Sequence, residues 1–398
     1  MDSQTPKELM HEAMSMGAPP RIPVMCQFAI GHTLLQTGVH PLEFFISNDA
    51  YADALLKIRE MYNFDGVLMH KPGREEEILK ITERVEREPE VTPEGLPAEH
   101  PFLVLHDGAW IECRRDDDPY YQYPEGFERP AVTDIDPDDP LAWAPESFVW
   151  WCRHKGTANW RNPGDFPEAW YGCIDRVLGA VGETHSVHGE VRSPFDHFLN
   201  IVGIEAGLMA LLDCPDRVHK LMETFTQWSV AWAVAQIRRG CHAMKISSPY
   251  ANSTFLSQES YAEWIVPSEG PIAKAVRDEG GFVYTHTCGA ITDRLELMAE
   301  AGINGIETLD PPPLGTIDIA DAKERLKGKM FIKGNIDPVN VLLRMNKEDA
   351  RNDVKRVFDI GRKGGEFILS TACSVAPPTP RENVELLAEC VHSHPAHD

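Results

Sequence analysis

His286-Thr287-Cys288 sets an imidazole and a thiol two residues apart in a run, FVYTHTC, that reads as a β-strand. Side chains at i and i+2 of a strand point to the same face, so the nitrogen and sulfur donors converge. Glu307, in GINGIETLDPPP, and Cys373, in FILSTACSVAPPTPREN, stand at the ends of two further strand-like runs. One His, one Glu and two Cys are borderline and soft donors at the tetrahedral number that Zn²⁺ accepts. Each has a plainer account when read alone. An HxC pair is common, Glu307 could be a strand-end carboxylate paired with a Lys or Arg, and Cys373 could be a small core residue. Taken together they predict a zinc site of His286, Cys288, Glu307 and Cys373.

The elements that must position these groups alternate along the chain. Short apolar runs occur at 22–28, 66–70, 185–191, 243–247, 282–288, 303–309, 330–336 and 367–373. Amphipathic stretches at 204–228, 257–277, 290–301, 319–326 and 347–362 lie between them and predict helices. Strand and helix in alternation mean parallel strands joined by crossovers, and eight such units predict an α/β fold, the (β/α)8 TIM barrel. The competing doubly wound sheet lacks its GxGxxG turn after the first strand. In a barrel the C-terminal strand ends form the active-site mouth. Other polar residues at those ends are therefore pocket candidates. His32, His70, Arg192, Lys245 and Asn335 are read as substrate-binding, and Glu307, Asp337 and Glu190 as catalytic. Simpler roles stay open, with Asp337 before Pro338 as a helix cap, Glu190 and Arg192 in ion pairs, and Lys245 covering a carboxylate at the mouth.

Residues 71–165 break the alternation. They are acidic, Pro-rich and aromatic, as in RRDDDPYYQYPEG and SFVWWCRHKG, with a hairpin expected at 102–113 around His106-Asp107-Gly108. The expectation is one domain over 1–398, with 71–165 inserted between strands 2 and 3 as a lid or partner surface. Its aromatics could wall a pocket or form the insertion's own core. With 38 Lys+Arg against 62 Asp+Glu the net charge is −24, which argues against nucleic acid and against a polybasic membrane contact. No apolar run nears the ~20 residues of a membrane span. The first residues read as an amphipathic helix and the nine cysteines as reduced thiols, so a cytoplasmic protein is expected. The tail with His392, His394 and His397 is read as a loose polar terminus.

From Ser193-Pro194-Phe195 onward, HTCG, Gly334-Asn335-Ile336-Asp337-Pro338 and Cys373 with APPTPREN resemble the uroporphyrinogen decarboxylase superfamily. Within it they resemble the zinc-dependent, corrinoid-linked methyltransferase branch. The resemblance covers the barrel and is weakest over 71–165. It implies zinc on His286, Cys288 and Cys373. Cobalamin-independent methionine synthase, a relative in fold, uses His, Cys, Glu and Cys in that order, which implies Glu307 as the fourth ligand. Decarboxylases of the superfamily carry an Arg-rich segment after the first strand. This chain has Met25-Cys26-Gln27-Phe28-Ala29-Ile30-Gly31-His32 there, so decarboxylation of a polycarboxylate is not expected.

The resemblance implies methyl transfer. The aromatic-rich insertion favours a methoxylated aromatic as donor and a cob(I)alamin as acceptor, with methylcobalamin:thiol transfer as the alternative. A decarboxylase-like lyase and a non-catalytic zinc-binding barrel rank below both. No corrinoid-binding DxHxxG motif is present, since Asp196-His197 is followed by Phe198, Leu199 and Asn200. The expected partners are a separate corrinoid protein or free cobalamin, a small-molecule methyl donor and a second copy of the chain as a homodimer.

Overall fold

The computed structural model describes residues 4–70, 76–154 and 160–396. β1 (Gly66–Leu68) is followed by β2 (Thr82–Glu86), β3 (Phe102–Leu105), β4 (Trp110–Glu112) and β5 (Tyr120–Gln122). After these come β6 (Ser186–Arg192), β7 (Ala243–Ser247), β8 (Phe282–His286), β9 (Gly305–Glu307), β10 (Phe331–Ile336) and β11 (Phe367–Thr371). Seven of them form one parallel sheet in the order β1-β6-β7-β8-β9-β10-β11, while β2 to β5 make a separate antiparallel sheet. Strands of a parallel sheet are covered on both faces, which is why runs such as AMKIS and FILST are almost wholly buried.

The first run, 22–28, is not a regular strand, and this corrects the expectation of eight. It touches β11 only through isolated bridges, Val24 to Leu369 and, beyond the strand, Phe28 to Val375. Pro23 has no N–H to give to a ladder. On the other side Asp65 replaces a strand partner, because its carboxylate accepts from Val24 N–H at 2.8 Å and from Arg21 at 2.6 and 2.9 Å. This irregular eighth stave lies between β11 and β1 and closes the barrel.

Helix Pro6–Met14 starts at a capping box formed by Thr5 and Glu8. Its Met10, Ala13 and Met14 pack with Met25, Leu68, Ala243, Tyr284, Phe331 and Ile368, plugging the barrel floor. Each methionine so buried contributes about 1.5–3 kcal/mol. The predicted 204–228 helix divides into Ile204–Asp213 and Pro215–Arg239, since Pro215 suits the first turn of a helix and not the middle of one. The stretch at 257–277 likewise breaks at a π turn, Tyr261–Ile265, before helix Val266–Asp278. Among the described residues no single helix is long and apolar enough to cross a membrane.

The insertion carries the expected hairpin, β3 to β4, turning at Gly108 with φ 87°. Its aromatics largely pack on one another, as Tyr121 stacks on Trp151 at 5.0 Å and Tyr123 on Phe127 at 4.5 Å. It also lies on the barrel. A Cβ at Gly31, in helix Ile30–Thr37, would sit 2.3 Å from the Asp116 backbone, so only glycine permits that approach. In the tail, His392 meets Asn63 and His394 bonds the Cys390 carbonyl, while His397 lies outside the described residues.

Candidate metal centre

β8 ends at His286, and the chain continues at the mouth to Cys288. Cys373 follows β11 at the same rim. Cys288 Sγ is 3.4 Å from His286 Nε2 and 3.8 Å from Cys373 Sγ, and the three donor atoms lie within 4.8 Å of one another. A tetrahedral zinc with ordinary Zn–S and Zn–N bonds has donor edges of about 3.8 Å between sulfurs and about 3.6 Å between sulfur and nitrogen. The separations found fit that group, and both thiols are half-buried at the strand ends.

Glu307 is not among the converging donors, which alters the expected ligand set. Its Oε2 lies 3.8 Å from His286 Nδ1, the nitrogen facing away from the thiols, and its Oε1 accepts from Lys333 Nζ at 2.6 Å. Register explains this, because Glu307 sits between His286 on β8 and Lys333 on β10 in the parallel ladder. Glu307 is therefore the strand-end ion pair weighed from sequence, and it also faces His286, a candidate ligand. Burial opposes its charge, but Lys333 and His286 hold the carboxyl well below the usual carboxylate range. The contact with Nδ1 is ionic and longer than a hydrogen bond, and Nε2 faces Cys288.

The hydrogen bond from Cys288 pulls Cys373 far below the usual thiol range, with His286 adding to it, and the same bond raises Cys288. His286 is raised on balance. Burial and Lys245 oppose its charge, while Cys373 and Glu307 favour it.

A second polar cluster gathers three of the nominated pocket residues. Lys245 Nζ stands 2.6 Å from Glu190 Oε2 and donates to Gln27 Oε1 at 2.6 Å, and His70 Nδ1 is 3.5 Å from the same Glu190 oxygen. Gln27 Nε2 donates in turn to Ser374 Oγ, next to Cys373, at 2.7 Å. Despite burial, Lys245 and His70 hold Glu190 well below the carboxylate range.

Four nominated residues serve the scaffold. His32 is buried, stacked on Phe28 and bonded to Tyr62 Oη at 2.8 Å and to the carbonyls of Ala376 and Pro377 at 3.2 Å. Burial drives its pKa down to about 4, so it is a neutral strut under the loop after Cys373. Arg192, at the end of β6, pairs with Asp196 in the first turn of helix Pro194–Val202. Asn335 donates to Leu309 O at 2.9 Å and pins the loop after β9. Asp337 caps Pro338–Leu343, accepting from Val339 N, Asn340 N and Asn340 Nδ2 at 2.8–2.9 Å, which is its bland reading.

Asp310 escaped the sequence reading. Its Oδ2 accepts from Gly289 N–H at 2.7 Å, while Oδ1 is buried without a hydrogen-bond partner among the described residues. Burial, with Cys373 acting in the same direction and the Gly289 N–H opposing, lifts its pKa to about 6. The only sequence signal was an acid before three prolines, just past a strand end.

Known proteins share this architecture. A methylcobamide:CoM methyltransferase, MtbA, from Methanosarcina acetivorans is 27% identical over 230 residues, covering 56% of this chain and 65% of that protein. A methylated-thiol–coenzyme M methyltransferase from Methanosarcina mazei is 24% identical over 299 residues, covering 73% of this chain and 71% of that one. A solved methyltransferase structure from Methanosarcina mazei aligns over 98% of this chain and 99% of its own, with TM-score 0.71 at 17% identity, and shares the fold. The uroporphyrinogen decarboxylase (URO-D) profile matches residues 158–394, the stretch holding β6 to β11 with His286, Cys288 and Cys373. The chain belongs to that family.

Proposed function

We propose that this protein is a zinc-dependent methyltransferase that moves a methyl group from a methylated corrinoid to a small thiol. The observation that carries the reading is the His286, Cys288 and Cys373 cluster, open to the mouth and braced by Glu307 and Lys333. The two sequence relatives, a methylcobamide:CoM and a methylated-thiol–coenzyme M methyltransferase, support a thiol acceptor over an aromatic ether donor. The methoxyaromatic expectation rested on the insertion's aromatics, most of which are spent on its own packing.

Zinc held on His286 Nε2, Cys288 Sγ and Cys373 Sγ would supply a Lewis acid that lowers a thiol's pKa and presents it as the thiolate. Glu307 and Lys333 keep the imidazole in place. Asp310 Oδ1, buried, without a hydrogen-bond partner among the described residues and close enough to Cys373 to feel its charge, is the acceptor for the proton the substrate thiol gives up. Lys245 contributes positive charge beside the cysteines and is itself balanced by Glu190. The corrinoid arrives from outside, free or on a partner protein. The insertion, packed on the helix after the first stave, acts as a lid over the mouth.

Zinc-loaded protein given methylcobalamin and 2-mercaptoethanesulfonate tests the reading, with loss of the methylcobalamin absorbance and formation of the thioether as readouts. Turnover that stops in Cys373→Ser supports it. Absence of transfer to this thiol and to homocysteine, together with transfer from a methoxybenzene to cob(I)alamin, would favour the ether reading.

A further inference from the structure

The irregular first stave is joined to the Cys373 segment by few bonds, and their placement singles out Gln27. Among the described residues the stave's backbone bonds to this side of the barrel fall before and after Cys373. Ahead of it, Met25 N–H donates to Leu369 O at 3.1 Å and Leu369 N–H to Pro23 O at 2.9 Å. Beyond it, Val375 N–H donates to Gln27 O at 2.9 Å and Ala29 N–H to Val375 O at 3.1 Å. Between these anchors Ala372 N–H turns to the other neighbour and donates to Ile336 O, at the end of β10, at 2.7 Å. Cys373 thus sits where the chain leaves β10 and before it rejoins the stave. The residue just after it is held by a side chain, since Gln27 Nε2 donates to Ser374 Oγ at 2.7 Å.

The far end of the same amide fixes its direction. Gln27 Oε1 accepts from Lys245 Nζ at 2.6 Å. An ammonium can only donate, so the amide oxygen must face Lys245 and the amide nitrogen must face Ser374. Lys245 is buried and stands 2.6 Å from Glu190 Oε2, which keeps the ammonium in one place. The bond from this cation to the neutral amide is charge-assisted, and therefore stronger and more directional than one between two neutral groups. A continuous line of contacts runs from Glu190 through Lys245 and Gln27 to Ser374 and ends one residue from a candidate ligand.

We propose that Gln27 is a positioning residue of the metal centre, tying Ser374 to the Lys245–Glu190 pair and so holding Cys373 beside His286 and Cys288 before a metal arrives. A cysteine already held in place gives up little further freedom when it binds, and that shows as tighter binding. Gln27 acts through Ser374 and is not itself a ligand. It lies ahead of the family match at 158–394, so a residue outside that match steadies a cysteine inside it. The inference rests on the reading of His286, Cys288 and Cys373 as the zinc site and adds the residue that braces its third donor.

The test is zinc affinity of the purified full chain, read by competition with a chromophoric chelator, with melting curves and the absorption spectrum of the Co²⁺-loaded protein taken on the same samples. Gln27→Met keeps the chain length but neither hydrogen bond. It should weaken zinc about tenfold, the lower end of what partners outside the ligand set contribute, and shift the thiolate-to-cobalt charge-transfer band. Ser374→Ala should weaken zinc by a similar factor, and the double variant should be no weaker than Gln27→Met, because one residue acts through the other. Gln27→Glu should restore wild-type affinity, since its carboxylate accepts from Lys245 and from the Ser374 hydroxyl turned round to donate. If Gln27→Met does not fold, Ser374→Ala decides. Unchanged zinc affinity in either folded single variant, additive losses in the double variant, or a Gln27→Glu as weak as Gln27→Met overturns the proposal and leaves the zinc reading standing. A wild-type chain that takes up no zinc overturns both.

Discussion

Glu307 Oε2 stands 3.8 Å from His286 Nδ1 while Lys333 Nζ holds the other carboxylate oxygen at 2.6 Å, so the carboxylate backs the imidazole from the side opposite the thiols. Outer partners of this kind typically change metal affinity about 10- to 100-fold. Glu307→Gln should keep one zinc per chain and lose it to a competing chelator at a concentration lower by about that factor. Complete loss of zinc would instead make Glu307 a direct ligand.

Lys333 and Glu307 are both fully buried. Removing one partner strands a charge, which typically costs about 3–5 kcal/mol, whereas removing both costs far less. Lys333→Met should therefore unfold at markedly lower urea than wild type, and Lys333→Met with Glu307→Gln should recover most of the difference. Equal losses in the single and double variants would contradict the pairing.

Most barrel strands were legible because fully buried parallel strands write continuous apolar runs. The first stave was not, since Pro23 and the Asp65 side chain replace ladder bonds that sequence cannot count. Strand-end spacing brought His286, Cys288 and Cys373 together. It could not say which imidazole nitrogen Glu307 would face, because that depends on the register of β8, β9 and β10. His32 misled because helix Ile30–Thr37 begins right after the stave and turns the ring back into the core. Asp310 sits in a loop without periodicity, where only the fold shows it beside the thiols.

Glu269, on helix Val266–Asp278, is buried, and burial raises its pKa from 4.5 to about 7, against the hydroxyls of Ser248 and Thr285 that lower it. A carboxyl raised on folding stabilises fully below the unfolded value, and that contribution is lost as pH rises through the folded one. Stability should fall between about pH 4.5 and pH 7 and above by on the order of 3 kcal/mol from this group. Glu269→Gln should flatten that slope and be more stable than wild type at pH 8 in urea melts. An unchanged slope would contradict it.

Asp310→Asn keeps an acceptor for Gly289 N–H but removes the basic oxygen. Thiol methylation should drop about 100-fold with zinc content unchanged. Activity within a few-fold of wild type would remove Asp310 from the proton path.

The most direct test of the central claim is methyl transfer from methylcobalamin to 2-mercaptoethanesulfonate by zinc-loaded wild type, Cys288→Ser and Cys373→Ser, with zinc measured in the same samples. About one zinc per chain and steady transfer are expected in wild type, with both lost in the two variants. Transfer that persists in a zinc-free variant, or a zinc-loaded wild type that transfers to no thiol, would contradict it.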